Sequence, residues 1–573
     1  MKASPTPPTP RRPAGTGPSA PPARYEDKPW LAQLTPAQRA PVTPPETVAH
    51  AFRDAARSVP DRTALAYFDG RLTYAETDAL SDGIAAHLAA RGLEPGDRLA
   101  LMLQNTPHFV LALLGAWKAG AVVVPVNPMY KEREVAHVLR DAEVSALVCA
   151  DRAWETYLRT TAAGTSVHTV LTACELDLQT RDDPRVLAFP RARPADDAED
   201  LLAVARAGGA PATGRAPSGA DTALISYTSG TSGAPKGAMN THANLTFNAE
   251  RQRVSGIAPE GACVYALAPL FHITGMVAQL AGCLLNKGTL ALTYRFEAGV
   301  VLDAFLEHRP AFTVGPSTAY MALAAHPDAS RAHFDSFTHL SSGGAPLPPA
   351  LVERFRATFG PYLGNGYGLT ECTAPCASVP PGRQAPVDPA SGTLAVGVPG
   401  PDTVVRILDD SGAPVPFGRH GEIVVRGPQV VPGYWRRPEE SAAALPGGEL
   451  RTGDVGFMDE DGWLYVVDRK KDMINASGFK VWPREVEDVL YTHPAVREAA
   501  VVGVPHEYRG ETVKAYVSLR DGAEAAPDDL RAHCAERLAA YKYPREVEIL
   551  PELPKTTSGK ILRRELRSRT GST

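Results

Sequence analysis

Strand-like and helix-like patterns of hydrophobic residues alternate along most of the chain after about residue 42. The apolar run 222–227 is typical of a buried strand, whereas residues 74–91 repeat apolar positions at helical spacing before Gly92. This alternation predicts an α/β fold of stacked units with mainly parallel sheets. The strands predicted here are Thr63–Phe68, Arg98–Leu103, Ala121–Val126, Thr222–Tyr227, Cys263–Ala268, Thr289–Tyr294, Phe312–Gly315 and His339–Ser342, and the helices include Val48–Val59, Tyr74–Arg91 and His108–Ala119.

The pattern changes twice in the last third of the chain. From Leu394 onward, short strands with glycine-rich turns predict a β-rich subdomain, and a compact α+β pattern follows the charged run 468–472. We therefore predict a disordered, Pro-rich leader (1–29), a large N-terminal domain (42–467) and a small C-terminal domain (468–573). The elements predicted here are strands Val404–Leu408, Glu422–Arg426 and Trp463–Val467, then helix Pro483–Tyr491, strands Glu498–Val504 and Thr512–Leu519, helix Pro527–Ala539 and strand Glu546–Leu550.

Composition narrows the class of protein. The 59 basic and 64 acidic side chains nearly balance, which argues against a dedicated nucleic-acid binder. Seven cysteines in 573 residues are too few for a disulfide framework. The most apolar stretch, residues 109–126, contains Lys118 and Pro125, so no integral membrane segment is predicted. We expect a cytoplasmic globular protein.

The strongest chemical signal is the segment from Tyr227 to Gly237, which reads Tyr-Thr-Ser-Gly-Thr-Ser-Gly-Ala-Pro-Lys-Gly. Glycines let backbone N–H groups approach an oxyanion, hydroxyls add donors, and Lys236 adds a compact positive charge. These are the groups that a polyphosphate requires. The spacing is not that of a Walker A loop, because Pro235 precedes the lysine and Gly237 follows it. The alternative is a Ser/Gly turn without function.

This segment resembles the phosphate-binding signature of the adenylate-forming superfamily, which includes acyl-CoA synthetases, luciferase and nonribosomal-peptide adenylation domains. Other segments similar to that family's occur in the family's order between about Leu65 and Leu566. They are Gly343-Gly-Ala-Pro346, Asn365-Gly-Tyr-Gly-Leu-Thr-Glu371, Arg451-Thr-Gly-Asp454 and Pro554-Lys-Thr-Thr-Ser-Gly-Lys560. The resemblance implies that the small C-terminal domain is mobile and carries a catalytic lysine.

The resemblance also implies roles for individual residues. Tyr367 would stack on adenine, Thr370 would meet the α-phosphate, and Asp454, assisted by Arg469, would accept the ribose hydroxyls. The implied catalytic residues are Lys560, Thr228, Glu371 and His272, and the implied Mg²⁺ ligands are Thr228 and Glu371. The implied ATP- and AMP-binding residues are Thr228, Ser229, Gly230, Thr231, Ser232, Gly233, Lys236, Gly343, Gly344, Ala345, Pro346, Asn365, Gly366, Tyr367, Gly368, Thr370, Asp454, Arg469 and Lys560.

Each of these residues also has a simpler interpretation. Taken alone, Asp454 fits a turn, His272 a structural histidine and Lys560 a solvated basic tail, and the nearby Arg563, Arg564 and Arg567 fit a solvated helix face. The resemblance instead makes Lys471 the hinge between the domains. It places Ser477, Gly478 and Phe479 beside coenzyme A in a second step. It assigns the acyl pocket to His272, Ile273, Thr274, Gly275, Val314, Gly315, Gly343 and Gly366.

The leading hypothesis is an ATP- and Mg²⁺-dependent ligase that joins a fatty or aromatic carboxylic acid to coenzyme A through an acyl-adenylate. An amino acid is disfavoured because the segment around His272 holds no acidic residue to pair with an ammonium group. The alternatives are an acyl-AMP ligase that loads a carrier protein and a catalytically silent nucleotide-binding module. A protein lysine acetyltransferase that acts on Lys560 is a further predicted partner.

Overall fold

The computed structural model describes residues 24–192, 197–209, 216–228, 235–469, 472–476, 479–506, 510–556 and 559–569, with only the backbone of residues 479, 480 and 510. The described chain forms a large N-terminal part of several sheets and a small C-terminal part. The predicted α/β class and the division into a large and a small α/β part are therefore confirmed.

Two α/β sheets form the bulk of the N-terminal part. Within the described residues, the first has nine strands in the order Val398–Pro399, Ala377–Ser378, Leu363–Tyr367, His339–Ser342, Phe312–Gly315, Cys263–Tyr265, Thr289–Leu292, Thr63–Tyr67 and Gly70–Thr73. The second has seven described strands in the order Glu199–Asp200, Thr169–Ala173, Val144–Ala150, Arg98–Met102, Val122–Pro125, Thr222–Tyr227 and Gly237–Thr241. Their central strands are parallel, and antiparallel pairs occur towards the sheet edges.

The helices between these strands begin and end where local chemistry favours it. The helix Tyr74–Ala90 begins with a capping box in which Thr73 and Glu76 bond each other's backbone N–H. Gly92 follows it at φ +84°, a conformation that glycine adopts without a Cβ penalty. The main helices of this part are Val48–Ser58, Tyr74–Ala90, Pro107–Lys118, Glu132–Asp141, Leu201–Ala207, His242–Val254, Ala298–His308, Ser317–Ala325 and Pro349–Phe359, with a π-helix at Gly275–Ala281.

The third sheet is antiparallel and is formed by the last strands of the N-terminal part. Its described strands, in order, are Val404–Leu408, Gly421–Arg426, Leu450–Met458 and Leu464–Arg469. The strand Leu450–Met458 was missed by the sequence prediction, since Gly453 and Asp454 resemble turn residues. The last strand runs on to Arg469, so the expected domain boundary after residue 467 falls inside a strand.

The small C-terminal part packs helices on a mixed sheet. Its described strands, in order, are Phe479–Val481, Ile474–Ala476, Gly510–Leu519 and Val496–His506, with Glu546–Ile549 also pairing Gly510–Leu519. Its helices are Pro483–Tyr491, Pro527–Ala535 and Arg563–Arg569. The helix Pro483–Tyr491 has the predicted bounds, whereas the predicted helix Pro527–Ala539 ends four residues early, at Ala535.

The end of the expected leader is packed against the third sheet. Tyr25 and Trp30 have no exposed surface, and the Tyr25 hydroxyl donates to the Val415 carbonyl at 3.0 Å. The expectation of a disordered leader is therefore wrong for residues 24–29, because two large aromatic side chains supply the apolar area that a Pro-rich segment lacks. Residues 1–23 lie outside the described residues.

Candidate active site

The glycine-rich phosphate segment is the tip of a β-hairpin. The strands Thr222–Tyr227 and Gly237–Thr241 are antiparallel, with Tyr227 opposite Gly237. The Thr228 N–H donates to the Lys236 carbonyl at 2.9 Å and closes the base of the loop. A side chain at Gly237 would lie 2.4 Å from Ile225 Cγ2, so only glycine fits there. The predicted residues Ser229, Gly230, Thr231, Ser232 and Gly233 lie outside the described part of the chain.

Tyr434 connects this loop to the candidate magnesium ligand. Its hydroxyl donates to Glu371 Oε1 at 2.8 Å, and Lys236 Nζ lies 5.3 Å from the centre of its ring. Burial, followed by the Glu371 carboxylate, raises the pKa of Tyr434, so the phenol remains a donor. The segment is held in place by the Trp435 N–H, which donates to the Gly237 carbonyl at 2.8 Å.

Sequence reasoning missed Tyr434. The chain reads Pro432-Gly-Tyr-Trp around it, without a charged residue. A buried tyrosine in such a segment is indistinguishable from a core aromatic until its hydroxyl partner is known. The only sequence signal for Tyr434 is the glycine beside it, Gly433, taken together with Gly237, because glycines permit the close backbone approach seen between these two segments.

The candidate ribose site is formed by two strands of the third sheet and by the end of the strand Leu363–Tyr367 in the nine-stranded sheet. The Tyr367 hydroxyl donates to Asp454 Oδ2 at 2.7 Å, and Arg469 Nε lies 3.3 Å from Asp454 Oδ1. Asp454 and Arg469 face each other in register across the strands Leu450–Met458 and Leu464–Arg469. Burial raises the pKa of Asp454, and the Arg469 charge opposes that shift. The predicted pair Asp454 and Arg469 is thus brought together, and Tyr367, for which adenine stacking is predicted, contacts the same carboxylate through its hydroxyl.

The segment Gly343–Pro346 follows the strand His339–Ser342, and the segment Asn365–Glu371 begins on the neighbouring parallel strand Leu363–Tyr367. Ser342 is in register with Asn365, and Asn365 Oδ1 accepts the Gly366 N–H at 3.0 Å. Gly344 has φ +76°, which requires glycine-like freedom at the turn after the strand. The remaining predicted residues here are Gly343, Ala345 and Pro346 on that turn, and Gly368 and Thr370 beyond the strand Leu363–Tyr367. The Thr370 carbonyl accepts the Asn240 side-chain amide at 2.9 Å, which ties the segment to the strand after the phosphate loop.

The predicted acyl-pocket residues come from four chain segments. The predicted Ile273, Thr274 and Gly275 follow His272 and lead into the π-helix Gly275–Ala281. Gly275 and Gly315 are closely packed, since an added Cβ would lie 2.2 Å from the Pro269 carbonyl and 2.6 Å from Leu267 Cδ2 respectively. Gly343 and Gly366 are less crowded, since the nearest atoms to an added Cβ are 3.6 Å and 3.8 Å away, which are ordinary contact distances.

The predicted pocket residues include one apolar side chain with branched methyl groups and one titratable ring. Val314 is 5% exposed, and its Cγ2 would lie 4.0 Å from a Cβ at Gly343. Burial, assisted by the charge of Lys560, lowers the pKa of His272 to about 4, so the imidazole is neutral at pH 7. The predicted pocket residues therefore combine the buried Val314 with a neutral histidine, which suits the uncharged tail of a carboxylic acid.

Lys560 is brought to this site from the small domain. The Thr318 hydroxyl donates to the Gly559 carbonyl at 3.2 Å, and an added Cβ at Gly559 would lie 2.6 Å from Thr318 Oγ1. Gly559 also has φ +81°, so two independent constraints favour glycine next to the lysine. The Lys560 N–H is held by Thr556 Oγ1 at 3.0 Å within a tight turn. The backbone next to the lysine is thus hydrogen-bonded on both sides, to Thr556 and to Thr318, rather than forming a solvated tail.

The environment of Lys560 combines charges of both signs. Burial, followed by the Arg469 charge, lowers the pKa of Lys560 to about 8, and the Asp454 carboxylate opposes the shift. The ammonium form still predominates at pH 7, because the pKa lies above that pH. The small domain therefore presents a positive charge beside the ribose carboxylate and the acyl pocket.

The hinge and coenzyme A predictions are only partly covered by the structure. Lys471, Ser477 and Gly478 lie outside the described residues. Phe479 begins the strand Phe479–Val481, where its backbone pairs with Ala476 in an antiparallel ladder.

Arg564 is exposed, as expected, but the expectation of a solvated face is wrong for Arg563. Its side chain is 18% exposed and surrounded by carboxylates.

The surroundings of Glu371 show whether this residue suits a divalent cation. Among the residues that the structure describes, no group of three or more His, Cys, Asp or Glu side chains could hold a metal ion. Mg²⁺, however, is usually held by one or two carboxylates together with substrate phosphates and water. A single carboxylate fixed by Tyr434 beside the phosphate loop fits that mode of binding.

Taken together, the fold and the site define a two-part α/β protein in which Gly559, next to Lys560 on the small part, contacts Thr318 of the large part. No described helix is long and apolar enough to cross a membrane. A family model described as AMP-binding enzyme matches residues 52–435, and one described as AMP-binding enzyme C-terminal domain matches residues 485–560. The chain belongs to the AMP-binding enzyme family.

Individual relatives cover nearly the whole chain. A long-chain-fatty-acid–CoA ligase of Bacillus subtilis (strain 168) is 36% identical over 94% of this chain and 97% of the relative. A feruloyl-CoA synthase of an Amycolatopsis species is 39% identical over 90% of this chain and 97% of the relative. The solved structure of a benzoate CoA ligase from Burkholderia xenovorans LB400 superposes with a TM-score of 0.80 at 28% identity, covering 91% and 99% of the two chains.

Proposed function

We propose that this protein is an ATP-dependent acid:CoA ligase that forms AMP. A fatty or aromatic carboxylic acid reacts with ATP to give an acyl-adenylate and pyrophosphate, and the acyl group then passes to coenzyme A. The observation that supports the proposal most directly is the hydrogen bond between Thr318 and Gly559, together with the electrostatic influence that Asp454 and the neighbouring Lys560, and Lys560 and His272, exert on each other. The names of the relatives support the same chemistry.

The first step is an in-line displacement at the α-phosphorus of ATP. A carboxylate oxygen forms the new bond to phosphorus, and the bond to the pyrophosphate oxygen breaks. Because two anions approach each other, a positioned ammonium lowers the barrier by electrostatic stabilisation, and no proton needs to be abstracted. Lys560 supplies that charge, while the Asp454 carboxylate and Tyr367 hold the nucleoside.

Mg²⁺ is the proposed metal, with Glu371 and the Thr228 hydroxyl as its protein ligands. When bound, it would neutralise charge on the triphosphate. The Tyr434 hydroxyl donates to one oxygen of Glu371 at 2.8 Å and so fixes the orientation of this carboxylate. Lys236 on the same loop would bind phosphate oxygens directly.

The second step requires the small domain to turn about the hinge at Lys471. The strand Ile474–Ala476 and the following residues Ser477, Gly478 and Phe479 would then face the acyl-adenylate and let the pantetheine arm pass. The coenzyme A thiolate attacks the acyl carbon, and AMP leaves. Lys560 moves away from Thr318 in this motion, because the turn that carries Lys560 and the segment 474–479 cannot occupy the site at the same time.

The acid is proposed to be fatty or aromatic rather than an amino acid. The pocket residues from His272 to Gly275 contain no carboxylate to pair with an α-ammonium, and a neutral His272 supplies none. Gly343 and Gly366 carry no side chain and are not compressed by their neighbours, and we propose that they border a long or flat acyl group. The fatty-acid and feruloyl ligases among the relatives fit both kinds of acid.

Lys560 is also the proposed target of a protein lysine acetyltransferase. Acetylation removes the ammonium charge and would stop the first step. In the described orientation the turn is packed against Thr318, so the modifying enzyme would need the turned state of the small domain. A chemically acetylated sample that kept its full rate of adenylation would contradict this idea.

The alternative is an acyl-AMP ligase that loads a carrier protein. Such enzymes usually carry an extra insertion ahead of the hinge. In this chain the described residues from Gly397 to Asp468 form the strands of the third sheet, the helix Pro438–Ala444 and their connections. This observation favours coenzyme A as the acceptor. A silent nucleotide-binding module is disfavoured, because the candidate catalytic and ribose-binding groups are all present.

One experiment separates these functions. The protein is incubated with ATP, Mg²⁺ and a panel of fatty, aromatic and amino acids, with either coenzyme A or a phosphopantetheinyl carrier protein. Pyrophosphate, AMP and the thioester are measured together. We expect thioester only with coenzyme A and a fatty or aromatic acid. Thioester formed only on the carrier protein would favour the acyl-AMP ligase. If none of the acids led to release of pyrophosphate, the proposal would be wrong.

A further inference from the structure

Arg563, three residues after Lys560, lies in a cage of carboxylates. Its Nη2 is 2.7 Å from Glu487 Oε2, its Nη1 is 2.9 Å from Asp468 Oδ1, and the same Nη1 is 3.6 Å from Asp472 Oδ2. The Asp468, Glu487 and Asp472 side chains are only 4%, 7% and 12% exposed. Interactions between desolvated charges are screened weakly, so these contacts are stronger than surface ion pairs.

The contacts of Arg563 divide between two parts of the molecule. Glu487 lies on the helix Pro483–Tyr491 of the small domain, and its Oε1 also accepts the Val501 N–H at 2.8 Å. Asp468 instead lies on the strand Leu464–Arg469, where it pairs in register with Val455 next to the ribose aspartate. The Glu487 contact is internal to the small domain, whereas the Asp468 contact crosses to the third sheet.

The geometry of the guanidinium explains why arginine occupies this position. Nε and Nη2 both donate to Glu487, which leaves Nη1 free to reach Asp468 on the other side. An ammonium group is a single point and cannot bridge the two carboxylates in this way. Asp468 makes a second contact with the small domain, since its Oδ2 accepts the Arg484 N–H at 3.2 Å at the start of a helix.

We propose that Arg563 is a positioning residue whose ion pair with Asp468 holds Lys560 in the adenylating orientation and breaks when the small domain turns. Arg563 begins the helix Arg563–Arg569, so fixing it to the third sheet fixes the turn that carries Lys560 relative to Asp454. The inference rests on the proposed two-step function, because a one-step enzyme has no second orientation to oppose.

The test uses variants that differ only in whether the lost contact crosses the hinge. Asp468→Asn removes the charge from the crossing pair and leaves the Glu487 contact intact. Arg567→Gln is the matched control. Arg567 lies one helical turn after Arg563 and pairs with Asp472 at 2.8 Å, within the small-domain side of the hinge. Two rates are measured for each variant: acyl-AMP formation from ATP in one turnover, and acyl-CoA formation from supplied acyl-AMP.

We expect Asp468→Asn to slow acyl-AMP formation by about 10- to 100-fold, as is usual when a buried charge loses its partner. Acyl-CoA formation from supplied acyl-AMP should change by less than about threefold, since the contact is absent in that orientation. Arg567→Gln should leave the ratio of the two rates unchanged. Arg563→Lys, which keeps the charge but cannot bridge, should repeat the selective loss if Asp468→Asn folds poorly.

Three results would overturn the inference, and each differs from a failure of the proposed function. Equal loss of both rates in Asp468→Asn and Arg563→Lys, together with lower melting temperatures, would make Arg563 merely structural. Unchanged adenylation in both variants would remove the Asp468 contact from the mechanism. A ratio altered as much by Arg567→Gln would show that crossing the hinge is irrelevant. If the proposed function itself is wrong, the unmodified protein will form no acyl-AMP from any acid.

Discussion

Gly559→Ala should slow adenylation selectively, because Gly559 is compressed only where the small domain meets Thr318. An alanine Cβ would lie 2.6 Å from Thr318 Oγ1 and 3.1 Å from Pro316 Cγ, well inside normal contact distances. Relieving this overlap by shifting the turn costs about 1–3 kcal/mol and weakens a hydrogen bond worth about 0.5–1.5 kcal/mol. A loss of about 2–3 kcal/mol, near the middle of the summed range, corresponds to about 30- to 150-fold in rate.

The positive φ of Gly559 adds a second cost that affects both steps. At φ +81° an L-residue is strained by about 1–2 kcal/mol wherever the domain is oriented. That strain should lower the melting temperature without separating the two half-reactions. The overlap with Thr318, in contrast, exists only in the adenylating orientation, so the two contributions can be distinguished.

The assay compares single-turnover acyl-AMP formation with acyl-CoA formation from supplied acyl-AMP. Thr318→Ala is the matched control, because it removes the hydroxyl that the new Cβ would strike while leaving Gly559 unchanged. The double variant Gly559→Ala/Thr318→Ala should recover part of the lost adenylation rate. An equal fall in both half-reactions, or a double variant no faster than Gly559→Ala, would refute the reasoning that the turn docks against Thr318.

Further changes probe the other groups of the site. Lys560→Ala should reduce acyl-AMP formation by about 10²–10³-fold while sparing transfer from supplied acyl-AMP. With the unmodified protein, kcat/KM for adenylation should fall as the pH rises through about 8, because the lowered pKa of Lys560 makes it lose its charge there; a flat profile up to pH 10 would contradict this. Glu371→Gln should raise the Mg²⁺ concentration needed for half-maximal activity by about tenfold or more with an unchanged melting temperature, and an unchanged Mg²⁺ dependence would place the metal elsewhere. Lys471→Pro should fix φ near −65° and trap the adenylating state, so rapid quenching should show acyl-AMP without acyl-CoA; acyl-CoA at the normal rate would remove Lys471 from the hinge. Gly366→Val should narrow the acyl pocket and reduce kcat/KM for bulky acids by about tenfold or more relative to short ones, and an unchanged order of preference across the acid panel would remove Gly366 from the pocket wall.

Sequence patterns predicted the regular elements best where burial is uniform. The strands Thr222–Tyr227 and Phe312–Gly315 have the predicted bounds, because they are mainly buried runs within the two α/β sheets. The strand Leu450–Met458 was missed, since an antiparallel strand on the site can contain Gly453 and Asp454 where pairing and function outweigh propensity. Its register with Leu464–Arg469 is what places Asp454 opposite Arg469.

The site itself was predictable only where a motif carries the chemistry within a few neighbouring residues. Local sequence indicated Lys236, Glu371 and Lys560, because phosphate and carboxylate chemistry concentrates charge and glycine in short segments. Tyr434 and Arg563 were not indicated, since their roles depend on partners 63 and 76 residues away in the chain. A basic residue in a charged terminal helix looks solvated until the tertiary structure surrounds it with carboxylates.

The central claim is that a carboxylate oxygen attacks the α-phosphorus of ATP in the site between Lys560, Asp454 and the acyl pocket. The most direct measurement uses a carboxylic acid labelled with ¹⁸O in both oxygens, together with ATP, Mg²⁺ and coenzyme A, and analyses the phosphorus products by mass spectrometry. The account predicts one ¹⁸O atom in each AMP formed, unlabelled pyrophosphate, and acyl-CoA in equal amount. Label in inorganic phosphate with formation of ADP, or AMP that carries no label, would contradict it.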